Sequence, residues 1–204
     1  MLSYAVEPPN VISLLGLASA ILAIYFAILG VFPAAMIGLV WAVAFDWFDG
    51  LVARAMKDRT DQQRSFGSNL DSLIDVVSFG VAPAVLLLSV GGFGFWFVPG
   101  AIIILFTAVV RLGYFNVFGL LGGSTYRGLA LDNNVIIVVL IFVLQPVLGI
   151  RVFAIVLYVV LMVLACLNVS SIPTPKLGGK WYSAVFLYAL SMSAVYGWRL
   201  FTAM

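Results

Sequence analysis

Residues 34–58 read AAMIGLVWAVAFDWFDGLVARAMKD, and the fold class turns on how this stretch is interpreted. Its first half is an oily run on the scale of a membrane helix, yet Asp46 and Asp49 stand where that helix is ending. An unpaired charge in hydrocarbon costs roughly 3 kcal/mol or more. Carboxylates in this position must therefore meet water, a cation, a partner or a substrate.

The surrounding composition sets the first limits. Of 204 residues, 64% are hydrophobic and 9% charged, against about 45–50% and about 25% in soluble domains. That much apolar surface cannot be hidden in water, so the chain reads as an integral membrane protein, and the cytoplasmic (inner) membrane is its expected location. The apolar runs are long and lack two-residue alternation, which excludes an outer-membrane barrel. The expected fold class is all-α, a polytopic transmembrane bundle of about six to eight helices, with residues 1–204 as a single membrane domain. The opening MLSYAVEPPN lacks the basic start of a cleavable signal peptide. A net charge of +2 makes no case for nucleic acid, and a single cysteine, Cys166, leaves no disulfide within the chain. Histidine is absent, so carboxylates lead as acid–base and metal-binding groups.

Spans of about 20 apolar residues fall at 10–30, 33–56, 66–90, 96–120, 132–148, 151–168 and 181–202. The fifth and sixth are short and divided by PVLGIR (146–151), so they form either a hairpin or one long kinked element. Arg54, Lys57, Arg59, Arg64, Arg127, Lys176 and Lys180 then fall on one side, and Arg151 and Arg199 on the other. This bias puts the first group and the N-terminus in the cytoplasm and the C-terminus outside.

The eight carboxylates are Glu7, Asp46, Asp49, Asp58, Asp61, Asp71, Asp75 and Asp132. Asp46 and Asp49 are three apart and Asp71 and Asp75 four apart, so each pair projects from one helix face. The two helices are joined by a short connection, and antiparallel packing brings the pairs together. Converging carboxylates repel strongly in a low dielectric, and divalent cations among them remove that cost. An all-oxygen donor set favours Mg2+ or Mn2+, with Ca2+ also compatible, over zinc. Gly50 and Ala53 leave a notch where something flat can approach the helix. Structural ion pairs, Asp46 with Arg54 or Asp75 with Arg111, are the plainer alternative.

The stretches DWFDGLVAR and FGSNLDSLID resemble the signature of the CDP-alcohol phosphatidyltransferase family, D-x-x-D-G-x-x-A-R followed by G-x-x-x-D-x-x-x-D. Asp46, Asp49, Gly50, Ala53, Arg54, Gly67, Asp71 and Asp75 occupy its fixed positions. The spacer AMKDRTDQQRSF has twelve residues, more than is usual, and is expected to enlarge the cytoplasmic loop. Within the family the likeness is to integral-membrane phosphatidylserine synthases. It rests on VSFGVAPA (77–84), RLGYFNV (111–117), YRGLALD (126–132) and NVSSIPTPK (168–176). Ala130 and Asn168 depart from the proline and methionine commoner there.

The resemblance implies a metal-dependent transfer of a phosphatidyl group from CDP-diacylglycerol to L-serine, with release of CMP. It implies metal ligation by Asp46, Asp49 and Asp71 with help from Asp75, and Asp75 as the general base. Donor binding would involve Asn10, Asp46, Gly50, Ala53, Arg54 and Gly67, with Gly50 and Ala53 lining the cytidine site. Ser78, Arg111, Asn116, Arg127 and Lys176 are candidates for holding acceptor or phosphate, and a homodimer is implied as well. Two rival readings stand beside this one. A sister enzyme would use inositol phosphate, glycerol phosphate or choline, and a phosphorylated acceptor would want a further basic cluster. A cation transporter would place its acids near the bilayer midplane and show ion flux without CMP release.

Overall fold

The computed structural model describes residues 2–123 and 125–203. A short α1 (Leu2–Ala5) leads into α2 (Pro8–Ile28), α3 (Phe32–Ala55), α4 (Asp61–Asp75), α5 (Ala82–Val90) and α6 (Val98–Phe118). Strand β1 (Thr125–Arg127), α7 (Leu131–Ile141), α8 (Gln145–Asn168), β2 (Pro173–Pro175) and α9 (Trp181–Ala203) complete the order. Helices dominate because a backbone in hydrocarbon must satisfy its own polar groups. Among the described residues six stretches are long and apolar enough to cross a membrane: Pro8–Ile28, Phe32–Ala55, Asp61–Val90, Phe95–Phe118, Leu131–Asn168 and Trp181–Thr202. The protein is an integral membrane protein built as an α-helical bundle.

Leu131–Asn168 is a hairpin. Gly149, at φ 71° and ψ 155°, breaks the helix near its middle. The Phe142 and Phe153 rings lie 4.6 Å apart, a separation that eleven residues of straight helix, about 16 Å long, would not allow. The ends of the segment meet again, since Leu129 N–H donates to Leu167 O at 3.0 Å and Gly128 N–H to Ile172 O at 2.9 Å. Strands β1 and β2 pair antiparallel beyond them. A Cβ on Gly128 would lie 2.3 Å from Asn168 O, so this closure requires glycine. Six spans, one of them double, carry the chain along the bundle seven times, as the sequence divided it. At the far end Arg199 donates to Phe142 O at 3.3 Å and Val143 O at 2.8 Å, capping carbonyls that the helix leaves open there.

The spacer between the two acidic pairs does not enlarge the loop. Helix α3 ends at Ala55 and α4 begins at Asp61, five residues ahead of the expected start at 66. Thr60 and Gln63 form a reciprocal capping box, with Thr60 N–H donating to Gln63 Oε1 at 2.7 Å and Gln63 N–H to Thr60 Oγ1 at 3.2 Å. Half of the spacer thus becomes helix. Arg59 holds the remaining turn through Nη2 to Glu7 Oε2 at 2.8 Å. Beyond Asp75 the helix widens into a π turn over Val76–Val81, where Ala82 N–H donates to Val77 O. Pro83 explains the widening, because it has no N–H to return to the turn before it.

Helices α2 and α3 pack closely through small residues. A Cβ on Gly38 would lie 2.8 Å from Ser19 O and 2.9 Å from Ala23 Cβ, and Ala20, Ala23, Ala27, Ala35 and Ala42 line the same seam, buried. The core in the half of the bundle away from Asp46 is filled by Leu39, Leu86, Leu87, Val138, Phe142 and Phe153. Gly38→Ala should destabilise the protein by about 1–3 kcal/mol through overpacking, seen as a lower melting midpoint in detergent. Gly197→Ala, with no atom within 4 Å of the added carbon, should leave that midpoint unchanged or slightly raised.

Candidate active site

The close α2–α3 seam fixes where the last turns of α3 sit. It brings Ser13 of α2 against Asp49, and the Ser13 hydroxyl donates to Asp49 Oδ2. Asp49 is 6% exposed. Helix α4 runs back beside it and adds Asp71, and oxygens of Asp46, Asp49 and Asp71 lie within 4.8 Å of one another. Asp75 stands one turn deeper, with its Oδ1 buried and without a partner among the described residues. Among the described residues Arg59–Glu7 is the one salt bridge, so the pairings Asp46–Arg54 and Asp75–Arg111 are not formed. Arg54 instead donates to the Tyr182 hydroxyl.

These side chains line a cavity of about 230 Å³. Its acidic wall is Asp46, Asp49, Asp71 and Asp75, with Gly50 and Ser72 between them. Opposite stand Arg111, Phe115 and Asn116 of α6, Tyr126 of β1, and Asp132 and Asn133 of α7. Pro175, Lys176, Leu177 and Tyr182 complete the lining. Asn116 accepts from Ser72 Oγ at 3.1 Å, tying α6 to α4. Arg111 is 8% exposed, its guanidinium carbon 5.3 Å from the Phe115 ring centre and 5.1 Å from that of Tyr126. Its Nε has no partner among the described residues.

Two lining groups outside the spans carry shifted protonation. Burial pushes the Tyr126 hydroxyl up to about 12, so it stays protonated at neutral pH. Partial burial, and then the neighbouring positive charge of Arg54, push Lys176 below the usual lysine range.

The remaining expected site residues lie around this cavity rather than in its lining. Asn10 is buried at the α2–α4 crossing, donating to Tyr4 O at 2.8 Å. Gly67 sits beneath it, where a Cβ would lie 3.0 Å from Asn10 Oδ1 and 2.7 Å from Arg59 Nη2. Ala53 flanks the mouth beside Arg54, Met56, Lys57 and Arg64. Ser78 is buried in the π turn with its hydroxyl unpartnered. Arg127 donates to Tyr114 Oη at 3.1 Å and to Ser171 Oγ at 3.2 Å, facing an adjacent hollow that Arg111 also lines.

Sequence reasoning passed over Asp132, Trp47, Tyr126, Tyr182 and Ser13. Asp132 carried a signal, being an acid at the head of a long apolar run. Ser13 lies three residues from Asn10, on one face of α2. Tyr182 carried none.

Three carboxylates with this spacing suit a hard divalent cation, whose oxygen bonds run about 2.0–2.6 Å. The donors are all oxygen, and no basic side chain is bridged to them among the described residues. Chemically, the cavity sets a cation-attracting wall against a rim of arginine, lysine and aromatic groups.

Much of this chain is similar in sequence to known proteins. An archaetidylserine synthase of Methanothermobacter thermautotrophicus is 40% identical over 122 residues, which is 59% of this chain and 51% of that protein. A CDP-diacylglycerol–serine O-phosphatidyltransferase of Methanocaldococcus jannaschii is 30% identical over 156 residues, 76% of this chain and 70% of its own length. One from Mycobacterium bovis is 36% identical over 110 residues, 53% of this chain and 37% of that protein. The match thus spans about half the length of the first relative. The profile of the CDP-alcohol phosphatidyltransferase family matches residues 7–163, and the chain belongs to that family.

Proposed function

We propose that this protein transfers the phosphatidyl group of a CDP-linked lipid to the hydroxyl of L-serine, forming a phosphatidylserine-type lipid and CMP. The observation that carries the reading is the set of four aspartates, Asp46, Asp49, Asp71 and Asp75, on one cavity wall with no basic side chain among the described residues bridged to them. Four like charges held that way need cations to be stable. The serine-specific names of the relatives support the choice of acceptor.

Asp46, Asp49 and Asp71 would hold divalent metal, Mg2+ or Mn2+, with Asp75 near enough to assist. Bound there, metal would neutralise the pyrophosphate and the charge growing on the departing CMP. The chain's own residues do the rest. Gly50, and Ala53 at the mouth, leave the helix surface open for the flat pyrimidine, while Arg54, held by Tyr182, meets donor phosphate. Arg111 takes the acceptor carboxylate, with Lys176 adding positive charge at the mouth. Asp75 accepts the proton of the serine hydroxyl as its oxygen bonds to the β-phosphorus. The bond from that phosphorus to the CMP oxygen breaks, and CMP leaves with the electron pair.

The lysine and arginine bias supports a cytoplasm-facing cavity in the cytoplasmic membrane, and the reading extends to a homodimer. The packed core beyond Phe79 weighs against ion passage through the bundle.

Purified protein in mixed micelles with CDP-diacylglycerol and Mn2+ or Mg2+ should release CMP with L-serine far faster than with glycerol 3-phosphate, inositol phosphate or choline. Chelation should abolish the release. Preference for a phosphorylated alcohol would reassign the chain to a sister activity, and ion flux without CMP would overturn the reading. Asp75→Asn should lower kcat by about 10²–10⁴-fold, the usual range for a lost general base, with donor KM little changed. Asp71→Asn should weaken Mn2+ binding by at least about tenfold, read by titration calorimetry.

A further inference from the structure

Asp132 is the fifth carboxylate in the cavity, and the reaction set out above gives it no task. It lies in the first turn of α7, and its Oδ2 accepts from the Trp47 indole N–H at 2.8 Å. Trp47 is the neighbour of Asp46 on α3, so this bond ties the acceptor side of the cavity to the acidic pairs. Asp132 is not among the three carboxylates gathered within 4.8 Å of one another. Arg111 lines the same cavity, buried, with its Nε lacking a partner among the described residues. The rings of Phe115 and Tyr126 hold that guanidinium in place. One cavity therefore offers a fixed anion and a fixed, partly unsatisfied cation, apart from the metal-suited cluster.

We infer that Asp132 recognises the ammonium group of an amino-acid acceptor while Arg111 takes its carboxylate. The inference rests on the reading of the acceptor as L-serine and adds the residue that selects for it. A zwitterion leaving water loses hydration at both ends and enters a low-dielectric site only where both charges are matched. Arg111 alone matches one. An alcohol without an ammonium leaves the Asp132 carboxylate facing an empty or anionic neighbour, which disfavours glycerol phosphate and inositol phosphate. The Trp47 N–H occupies one carboxylate oxygen and fixes its direction. Asp132 is in this account a specificity residue, and Trp47 a positioning residue that acts through it.

The test is steady-state kinetics of the full chain in mixed micelles, varying L-serine and CDP-diacylglycerol separately, with D-glycerate as the acceptor that keeps hydroxyl and carboxylate but lacks ammonium. Asp132→Asn should raise the KM for serine by about tenfold to a hundredfold, the scale of one lost charge-assisted hydrogen bond. The donor KM should stay within about twofold, and the preference for serine over glycerate should shrink by the same factor. Trp47→Phe keeps an aromatic ring and removes the N–H, and should raise the serine KM severalfold even where Asp132→Asn fails to fold. An unchanged serine KM in either folded variant, or donor and serine KM rising together as a purely structural role would produce, overturns the assignment. Wild-type protein that releases no CMP with L-serine overturns the proposed function itself, and the assignment with it. Wild-type activity with an unaltered Asp132→Asn variant removes the assignment alone.

Discussion

The structure depends on a repulsion that the chain does not cancel for itself. Two carboxylates with oxygens within 4.8 Å of one another repel by about 3 kcal/mol at an effective dielectric near 20. Here four acids share one cavity wall, with a fifth across from it. Arg54 and Arg111 stand near, but neither forms a salt bridge to them among the described residues. Arg54 is turned to Tyr182, and Arg111 to aromatic faces. A site left charged in this way is stabilised by what it binds. It can be maintained because the opposite half of the bundle is densely packed.

Packing is what delivers the acids to one place. The seam of small residues between α2 and α3 brings the helix backbones close, so that Ser13 reaches Asp49. The Glu7–Arg59 pair and the Thr60 capping box then fix a five-residue turn between α3 and α4. That turn sets α4 antiparallel to α3, with Asp71 level with Asp49. The π turn that follows Asp75 lets the helix accept Pro83 without a break. The acidic wall is thus made by residues 46–75, contiguous in sequence, and the opposing wall by residues 111–182, brought in by the α7–α8 hairpin and the β1–β2 pair.

That division explains what was legible in the sequence. The acidic wall lies on two neighbouring helices, so helical spacing alone put Asp46 beside Asp49 and Asp71 beside Asp75. The helix count was legible because hydrophobic length is a direct membrane constraint. The course of PVLGIR was open between a kink and a hairpin. The Leu129–Leu167 bond and the Phe142–Phe153 contact, between residues far apart in sequence, decide for the hairpin. The spacer was misjudged because its length suggested a loop, whereas Thr60 and Gln63 carry a local helix-start signal that turns half of it into α4. Tyr182 and Trp47 reach the cavity through tertiary packing, which no spacing rule records.

The cavity's charge layout also bears on order in the reaction. The acidic wall lies along α3 and α4, with Asp75 deepest, while Lys176 and Arg54 stand at its mouth beside the β2 loop and Tyr182. On the proposed function an anionic pyrophosphate would meet those cations on the way in, and would be repelled by the bare aspartates unless divalent cations covered them. The proposed acceptor wall, Arg111, Tyr126 and Asp132, would face the position that pyrophosphate would then occupy. A zwitterion entering before metal and donor would find its ammonium drawn to five competing carboxylates. Were cations to occupy Asp46, Asp49 and Asp71, Asp75 and Asp132 would be left outside that cluster, and of these the proposed function already gives Asp75 to the hydroxyl proton, which leaves Asp132, with Arg111, to orient the acceptor. Selectivity on this view follows from filling the acidic wall first, because the same charges that bind metal would otherwise misplace the amino acid.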